Sequence, residues 1–314
     1  MSRAWHFPPA LAVFALLASC AVLLGACRDK EGASPIGQAA GPPGLSEGSI
    51  ASGGRQRTYR LYVPASLDPR RPAPLVVALH GGLGTPAQFA ANSSFDAAAE
   101  AHAFIVVYPA GVGRTWNGGA CCGQAARQSV DDVAFIAALI DHLSARYRID
   151  PNRVFATGHS NGGIMAFRLA CELADRVAAV APVAASLEVD SCSPSRPVAV
   201  LAIHGDADLN HPLEGGAGPN SIAGVPFNSL AASMESLRRA NGCSATPEVR
   251  REGAITTTTW KNCREGGHTE QKVIAGASHA WPGGDPRTAG PGGTPSPVLD
   301  ATTAIWAFFA EHGR

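Results

Sequence analysis

Apolar positions along the chain fall into short unbroken runs separated by segments of helical period. Arg57-Thr58-Tyr59-Arg60-Leu61-Tyr62-Val63 instead alternates polar with apolar, as a half-buried edge strand does, and Pro64 ends it. Leu75 to Leu79 is apolar throughout, the mark of a central parallel strand covered on both faces. Phe104 to Tyr108, Val154 to Thr157, Val177 to Val183 and Val198 to Ile203 read the same way. Helices are predicted at Phe95 to His102, Ser129 to Tyr147, Ile164 to Cys171 and Ser229 to Ala240. In the second of these Val133, Ile136, Ile140 and Leu143 share a face, and Ser129 with Asp132 resembles a capping box. In the fourth, Leu230, Met234 and Leu237 point inward and Asn241-Gly242 stops the helix. A hairpin over Glu248 to Trp260, a strand at Lys272 to Ala275 and a last helix capped by Asp300 complete the pattern. Strand, helix and strand alternate while the strands stay apolar. That predicts an α/β domain over residues 49–314, a mostly parallel central sheet with helices on both faces.

The first residues do not belong to this pattern. Pro9 to Ala26 is apolar, follows a start carrying one arginine, and gives way to Arg28-Asp29-Lys30-Glu31. Residues 1–27 therefore read as an export signal. Leu24-Gly25-Ala26-Cys27 resembles the lipobox of bacterial lipoproteins, which implies lipidation of Cys27. Leu17-Ala18-Ser19-Cys20 also fits, but an apolar stretch follows it. An uncleaved anchor and an ordinary signal peptide are the other readings, and all place the domain outside the cytoplasm. Residues 28–48, rich in Gly, Pro, Ala and Ser, read as a flexible tether.

Composition adds three constraints. Zero net charge gives no reason to expect nucleic acid or an anionic surface as partner, so membrane contact is expected only through the lipid. Of the eight cysteines, six follow the signal: Cys121, Cys122, Cys171, Cys192, Cys243 and Cys263. No zinc spacing occurs among them, so no metal is expected, and an even number in an exported protein predicts disulfides. Cys243–Cys263 is the preferred pair, because the hairpin between them brings them together. The vicinal Cys121 and Cys122 are expected to reach Cys171 and Cys192, in an order left open.

One stretch carries chemistry. Gly158-His159-Ser160-Asn161-Gly162 lies between a buried strand and a helix, the layout of a nucleophile elbow. On its own G-x-S-x-G also describes a glycine turn capping a helix. In a parallel sheet, reactive groups gather in loops after the strands. Those loops hold His80-Gly81-Gly82, then Ser160, then Asp206 and Asp208, then His279 and Trp281. Ser, Asp, His is the chain order of α/β-hydrolases. Ser160 is the expected nucleophile, His279 the base and Asp208 the acid, with Asp206 as alternative. The oxyanion donors are expected to be the N–H groups of Asn161 and Gly82, with Leu83 as the rival to Gly82. His159 is expected to point away from the nucleophile. Trp116 and Trp281, in Gly-rich loops on this side, are expected to wall an apolar or aromatic substrate cleft.

Leu79-His80-Gly81-Gly82, Trp116-Asn117, Cys121-Cys122-Gly123, Val130-Asp131-Asp132-Val133-Ala134-Phe135, Gly158-His159-Ser160-Asn161-Gly162-Gly163, His204-Gly205-x-x-Asp208 and Gly276-x-x-His279-x-Trp281-Pro282-Gly283-Gly284 together resemble one family. It is the secreted polyhydroxybutyrate depolymerase / feruloyl esterase family, carbohydrate esterase family one. The resemblance runs from about Arg57 to the last helix. It implies a cofactor-free serine esterase of α/β-hydrolase fold and favours Asp208, the acid of the H-G-x-x-D motif. It implies short polyesters, feruloyl esters or acetyl groups on polysaccharides as substrates. Leu209 to Ser229 departs from the family as a Gly/Pro/Asn-rich loop. The competing readings are a peptidase or thioesterase on this scaffold and a catalytically silent binding protein.

Overall fold

A computed structural model describes residues 1, 2, 4, 42–288 and 290–313, with nothing said of the side chains of Gly266 and Pro291. The predicted signal with Cys20 and Cys27, and the tether up to residue 41, lie outside the described residues. One ten-stranded sheet organises the domain, in the order β1-β2-β4-β3-β5-β6-β7-β10-β9-β8. Its strands are β1 (Gly44–Ser52), β2 (Arg55–Val63), β3 (Ala73–Leu79), β4 (Ile105–Pro109), β5 (Ile149–His159), β6 (Ala179–Val183), β7 (Ala199–Gly205), β8 (Glu248–Glu252), β9 (Ile255–Trp260) and β10 (Thr269–Ile274). The six strands from β4 to β10 in that order pair in parallel, and antiparallel strands flank them on both sides. All of β3, β4, β6 and β7 is buried, as unbroken apolar runs require.

Helices α1 (Pro86–Ser93), α2 (Phe95–His102), α3 (Gly123–Arg127), α4 (Asp132–Ser144), α5 (Asn161–Glu172), α6 (Leu230–Ala240) and α7 (Ala301–Glu311) join the strands. Two cores result. Phe135 and Leu139 of α4, Phe167 of α5 and Met234 of α6 pack with one set of strand side chains. Phe89 of α1, Phe95 of α2 and Ile305 and Phe309 of α7 pack with the other.

Three expectations are corrected. Residues 44–48 are not tether: they begin β1, which pairs with β2 along its whole length, so β2 is not the edge. Only Ile50 of β1 is buried, so no apolar pattern announces this strand. Helix α4 is capped by Asp131, whose Oδ1 accepts from the Ala134 N–H at 2.9 Å, and not by Ser129. Asp132 is thereby free for another task. Fully buried, it binds Arg57 Nη2 at 2.6 Å through Oδ1 and accepts the Asn117 N–H at 2.8 Å through Oδ2. The Arg57 guanidinium also lies 3.8 Å from the centre of the Phe135 ring. Asp132→Ala strands that buried cation, so urea denaturation is expected to show a loss of about 3–5 kcal/mol. A loss below about 1 kcal/mol would show that water or a rearranged side chain takes over the pairing.

The cysteines give the third correction. Cys243–Cys263 forms as expected, with Cα atoms 3.7 Å apart. Cys171, in the last turn of α5, bonds instead to Cys192, with Cα atoms 4.9 Å apart. That leaves Cys121 and Cys122 only each other, and they are joined as a vicinal disulfide.

Candidate active site

Strand β5 ends at His159 and α5 starts at Asn161, so one residue makes the turn between them. That residue is Ser160, at φ 54° and ψ −122°, a conformation L-residues rarely adopt. The turn closes because glycine stands on either side. A side chain at Gly162 would run into the carbonyl oxygens of Leu79 and His80, and one at Gly158 into the backbone of Gly162. The Ser160 N–H donates to the Val183 carbonyl at 2.9 Å, which ties the elbow to the end of β6.

Three expected residues meet here. Ser160 Oγ lies 2.8 Å from His279 Nε2, and His279 Nδ1 lies 2.7 Å from Asp208 Oδ2. Since an ionised carboxylate only accepts, Nδ1 carries the proton and Nε2 is left to accept from the serine hydroxyl. Asp208 Oδ1 accepts the N–H groups of Asn210 and His211, both at 2.8 Å. Burial alone would raise the Asp208 carboxyl. Hydrogen bonds to His204 and His279, the charge of His279 and the His211 N–H outweigh it, and hold the group well below the usual carboxylate range. Asp206 is exposed and accepts the Gly276 N–H at 2.6 Å, so it fastens the turn before His279 and does not reach the imidazole.

The loop after β3 faces the elbow. The Leu83 N–H donates to the Arg114 carbonyl at 2.8 Å, which removes Leu83 as an oxyanion donor. The N–H groups of Gly82 and of Asn161, first residue of α5, have no acceptor among the described residues. A Cβ on Gly82 would lie 3.7 Å from the Asn161 Cβ, so the two donors belong to one site. The loop is firmly held. Arg114 donates to the Leu83 and Gly84 carbonyls. His80 donates from Nδ1 to the Gly81 carbonyl at 2.8 Å and accepts the Gly111 N–H on Nε2 at 3.0 Å. Burial pushes the His80 imidazole down to about 4, so it stays neutral in this role.

The tryptophans are the correction at this site. Trp116 and Trp281 are 0% and 1% exposed, so neither walls a cleft. Trp116 lies beneath the oxyanion loop, its Nε1 donating to the His80 carbonyl at 2.9 Å. Asn161 clamps it from the other side, Oδ1 accepting the Trp116 N–H at 2.7 Å and Nδ2 donating to its carbonyl at 2.9 Å. Trp281 packs edge-on to Phe89, and its Nε1 donates to Thr302 Oγ1 at 3.2 Å. An indole needs a partner for its N–H when buried, and both find one that steadies a site loop.

Sequence reasoning missed the residues behind the triad. His204 Nε2 donates to the His211 carbonyl at 2.8 Å and lies 3.4 Å from Asp208 Oδ2. The His211 ring stacks on Phe227 at 3.9 Å, and its Nε2 contacts Ser186 Oγ at 2.6 Å. Ser186 in turn donates to Glu188 Oε1 at 2.5 Å, which also accepts the Asn228 N–H at 2.9 Å. His211 and Phe227 thus bind the Leu209 to Ser229 loop inward, through contacts between residues distant in sequence. A depression of about 640 Å³ lies apart from the triad, against α6 between Cys192, Glu235, Arg239 and Arg264.

A serine on a strand-to-helix turn of a parallel sheet, with His and Asp on neighbouring strand ends, defines an α/β-hydrolase. The chain belongs to the esterase family: the model described as "Putative esterase" matches residues 50–223. It is a carboxylic-ester hydrolase. The "Putative esterase NocK" of Nocardia uniformis subsp. tsuyamanensis is 33% identical over 82% of this chain and 80% of its own length. Feruloyl esterase B of Piromyces equi is 30% identical over 69% of this chain, and the match spans 41% of that longer protein. Among solved structures, an acetyl xylan esterase from Aspergillus awamori shares the fold, with TM-score 0.57, 18% identity, and coverage of 74% of this chain and 94% of that one.

Proposed function

We propose that the protein is an exported serine esterase that cleaves small or oligomeric esters through an acyl-enzyme, in the manner of a polyhydroxybutyrate depolymerase. The observation that carries this reading is the continuous path from Ser160 Oγ through His279 to Asp208, at 2.8 and 2.7 Å. Ser160 Oγ attacks the ester carbonyl and passes its proton to His279 Nε2. Asp208 stabilises the imidazolium that forms. The negative charge on the former carbonyl oxygen is met by the Gly82 and Asn161 N–H groups, which are already in position and need no reorganisation. Collapse breaks the bond to the alcohol oxygen, which leaves with the proton from Nε2. Water then attacks the acyl-serine, giving its proton to Nε2, and the acid departs as Ser160 is restored. Since its folded-state carboxyl is held low, Asp208 stays ionised through mildly acidic pH.

Export rests on the N-terminal apolar run and the disulfides, which suit an oxidising compartment. A lipid on Cys27 would hold the enzyme at a membrane. The second reading, hydrolysis of feruloyl or acetyl esters on plant polysaccharide, is favoured by the names of two relatives. One is Feruloyl esterase B of Piromyces equi and the other the bifunctional acetylxylan esterase/xylanase XynS20E of Neocallimastix patriciarum. Rates on hydroxybutyrate oligomers, methyl ferulate and acetylated xylan test both. A kcat/KM at least tenfold higher on the oligomers supports the first reading, and a preference for either of the others supports the second. Labelling by a phosphonate ester should fall on Ser160 alone, and labelling elsewhere would refute the nucleophile.

A further inference from the structure

His159 stands between the three loops of the site. Its Nε2 lies 2.6 Å from the carbonyl oxygen of His279. A carbonyl only accepts, so the proton sits on Nε2 and Nδ1 carries a bare lone pair. Nδ1 has no partner among the described residues, and the partly exposed ring leaves it open to solvent. Its surroundings place it at the reaction centre. The point where a side chain on Gly81 would begin is 3.3 Å from His159 Nδ1 and 3.6 Å from Ser160 Cβ. Glycine at 81 therefore keeps clear a space bordered by the nucleophile, the oxyanion loop and an unused acceptor. The ring is also fixed, lying 5.0 Å from the His279 ring and edge-on to Trp281 at 6.3 Å. Enclosure by these loops, and then the neighbouring His279, push the imidazole down to about 4, against weaker upward pulls from its bond to His279 and from Asp208. The lone pair is thus available throughout the neutral range.

We propose that His159 is a specificity-determining residue whose Nδ1 accepts a hydrogen bond from a hydroxyl carried by the substrate close to the scissile ester. The preferred substrates are then hydroxyl-bearing esters. The proposal rests on the serine esterase reading and adds a recognised group to it. The hydroxyl can lie on the acyl or on the alcohol side, and the probes separate these. One series is ethyl butyrate, ethyl 3-hydroxybutyrate and ethyl 3-methoxybutyrate. The other is ethyl butyrate, 2-hydroxyethyl butyrate and 2-methoxyethyl butyrate. In one series the wild type should favour the hydroxyl ester over both companions by about three- to tenfold in kcat/KM, the range of one neutral hydrogen bond. As the pH falls toward 4 the preference over the methoxy ester should shrink, because a protonated Nδ1 donates to either oxygen. This arm needs no variant. His159→Gln keeps an N–H donor for the His279 carbonyl but lacks an acceptor at the Nδ1 position. It should abolish the preference in the series where the wild type shows it. Equal rates within both series for the wild type would overturn the proposal. So would a preference that survives His159→Gln, or a variant that loses all substrates alike, which would leave His159 as a positioning residue only. Equal hydrolysis by Ser160→Ala and wild type would bring down the esterase reading itself.

Discussion

Ser160→Ala is expected to lower kcat by about 10⁶-fold, because the acyl-enzyme route has no other nucleophile. The loss should be confined to chemistry. Alanine keeps the Ser160 N–H bond to Val183 and removes only the hydroxyl that meets His279. Thermal unfolding should therefore match the wild type, and any ester hydrolysis above one per cent of wild type would reject the mechanism. Asp208→Asn belongs to the same experiment and is expected to cost about 10⁴-fold. An amide facing Nδ1 turns the imidazole to the wrong tautomer, with Nε2 protonated and unable to accept from Ser160. Asp206→Asn removes charge from an exposed group that holds the Gly276 turn, so it should cost only a few-fold. A larger loss at Asp206 than at Asp208 would reverse the assignment of the acid.

Gly162→Ala is expected to destabilise the elbow itself. The new methyl would meet the Leu79 and His80 carbonyl oxygens, the latter at 2.6 Å, and backbone oxygens at the end of a central strand cannot step aside. A cost of at least about 3 kcal/mol is expected, the upper end of what overpacking a core exacts. The urea midpoint measures it. Gly216→Ala is the control. Gly216 has φ +85° and open space around it, so alanine there meets only the backbone penalty of about 1–2 kcal/mol. Equal midpoints for the two variants would mean that the elbow is not packed as described.

These two sites also show what could be read before any coordinates. The unbroken apolar runs predict β3, β4, β6 and β7, because burial on both faces leaves no polar position to interrupt them. The strand-end loops name the residues that meet at Ser160, because a parallel sheet carries all such loops on one edge. Strand β1 escapes notice because backbone pairing with β2, not burial, holds it. Helix α1 had a legible signal, Thr85 capping with Pro86 in the first turn, but its eight residues show little period. The tryptophans sit in the expected loops yet turn inward, and side-chain direction in an irregular loop is decided by partners far away in sequence. His80 and Asn161 for Trp116, and Thr302 for Trp281, are such partners. The contacts of His159, His204 and Glu188 are invisible for the same reason.

The anchoring of Trp281 bears on how the enzyme comes into being. Thr302 Oγ1 donates to the Ser93 carbonyl at 2.5 Å while accepting from Trp281, and the Ala301 N–H donates to the Pro282 carbonyl at 3.0 Å. The loop bearing His279 is thus pinned by α7, which follows it in the chain. A chain stopped before Ala301 would hold Ser160, Asp208 and His279 and still lack the strut that steadies the loop bearing His279. Docking of α7 thus becomes a condition for activity rather than for the assembly of the sheet.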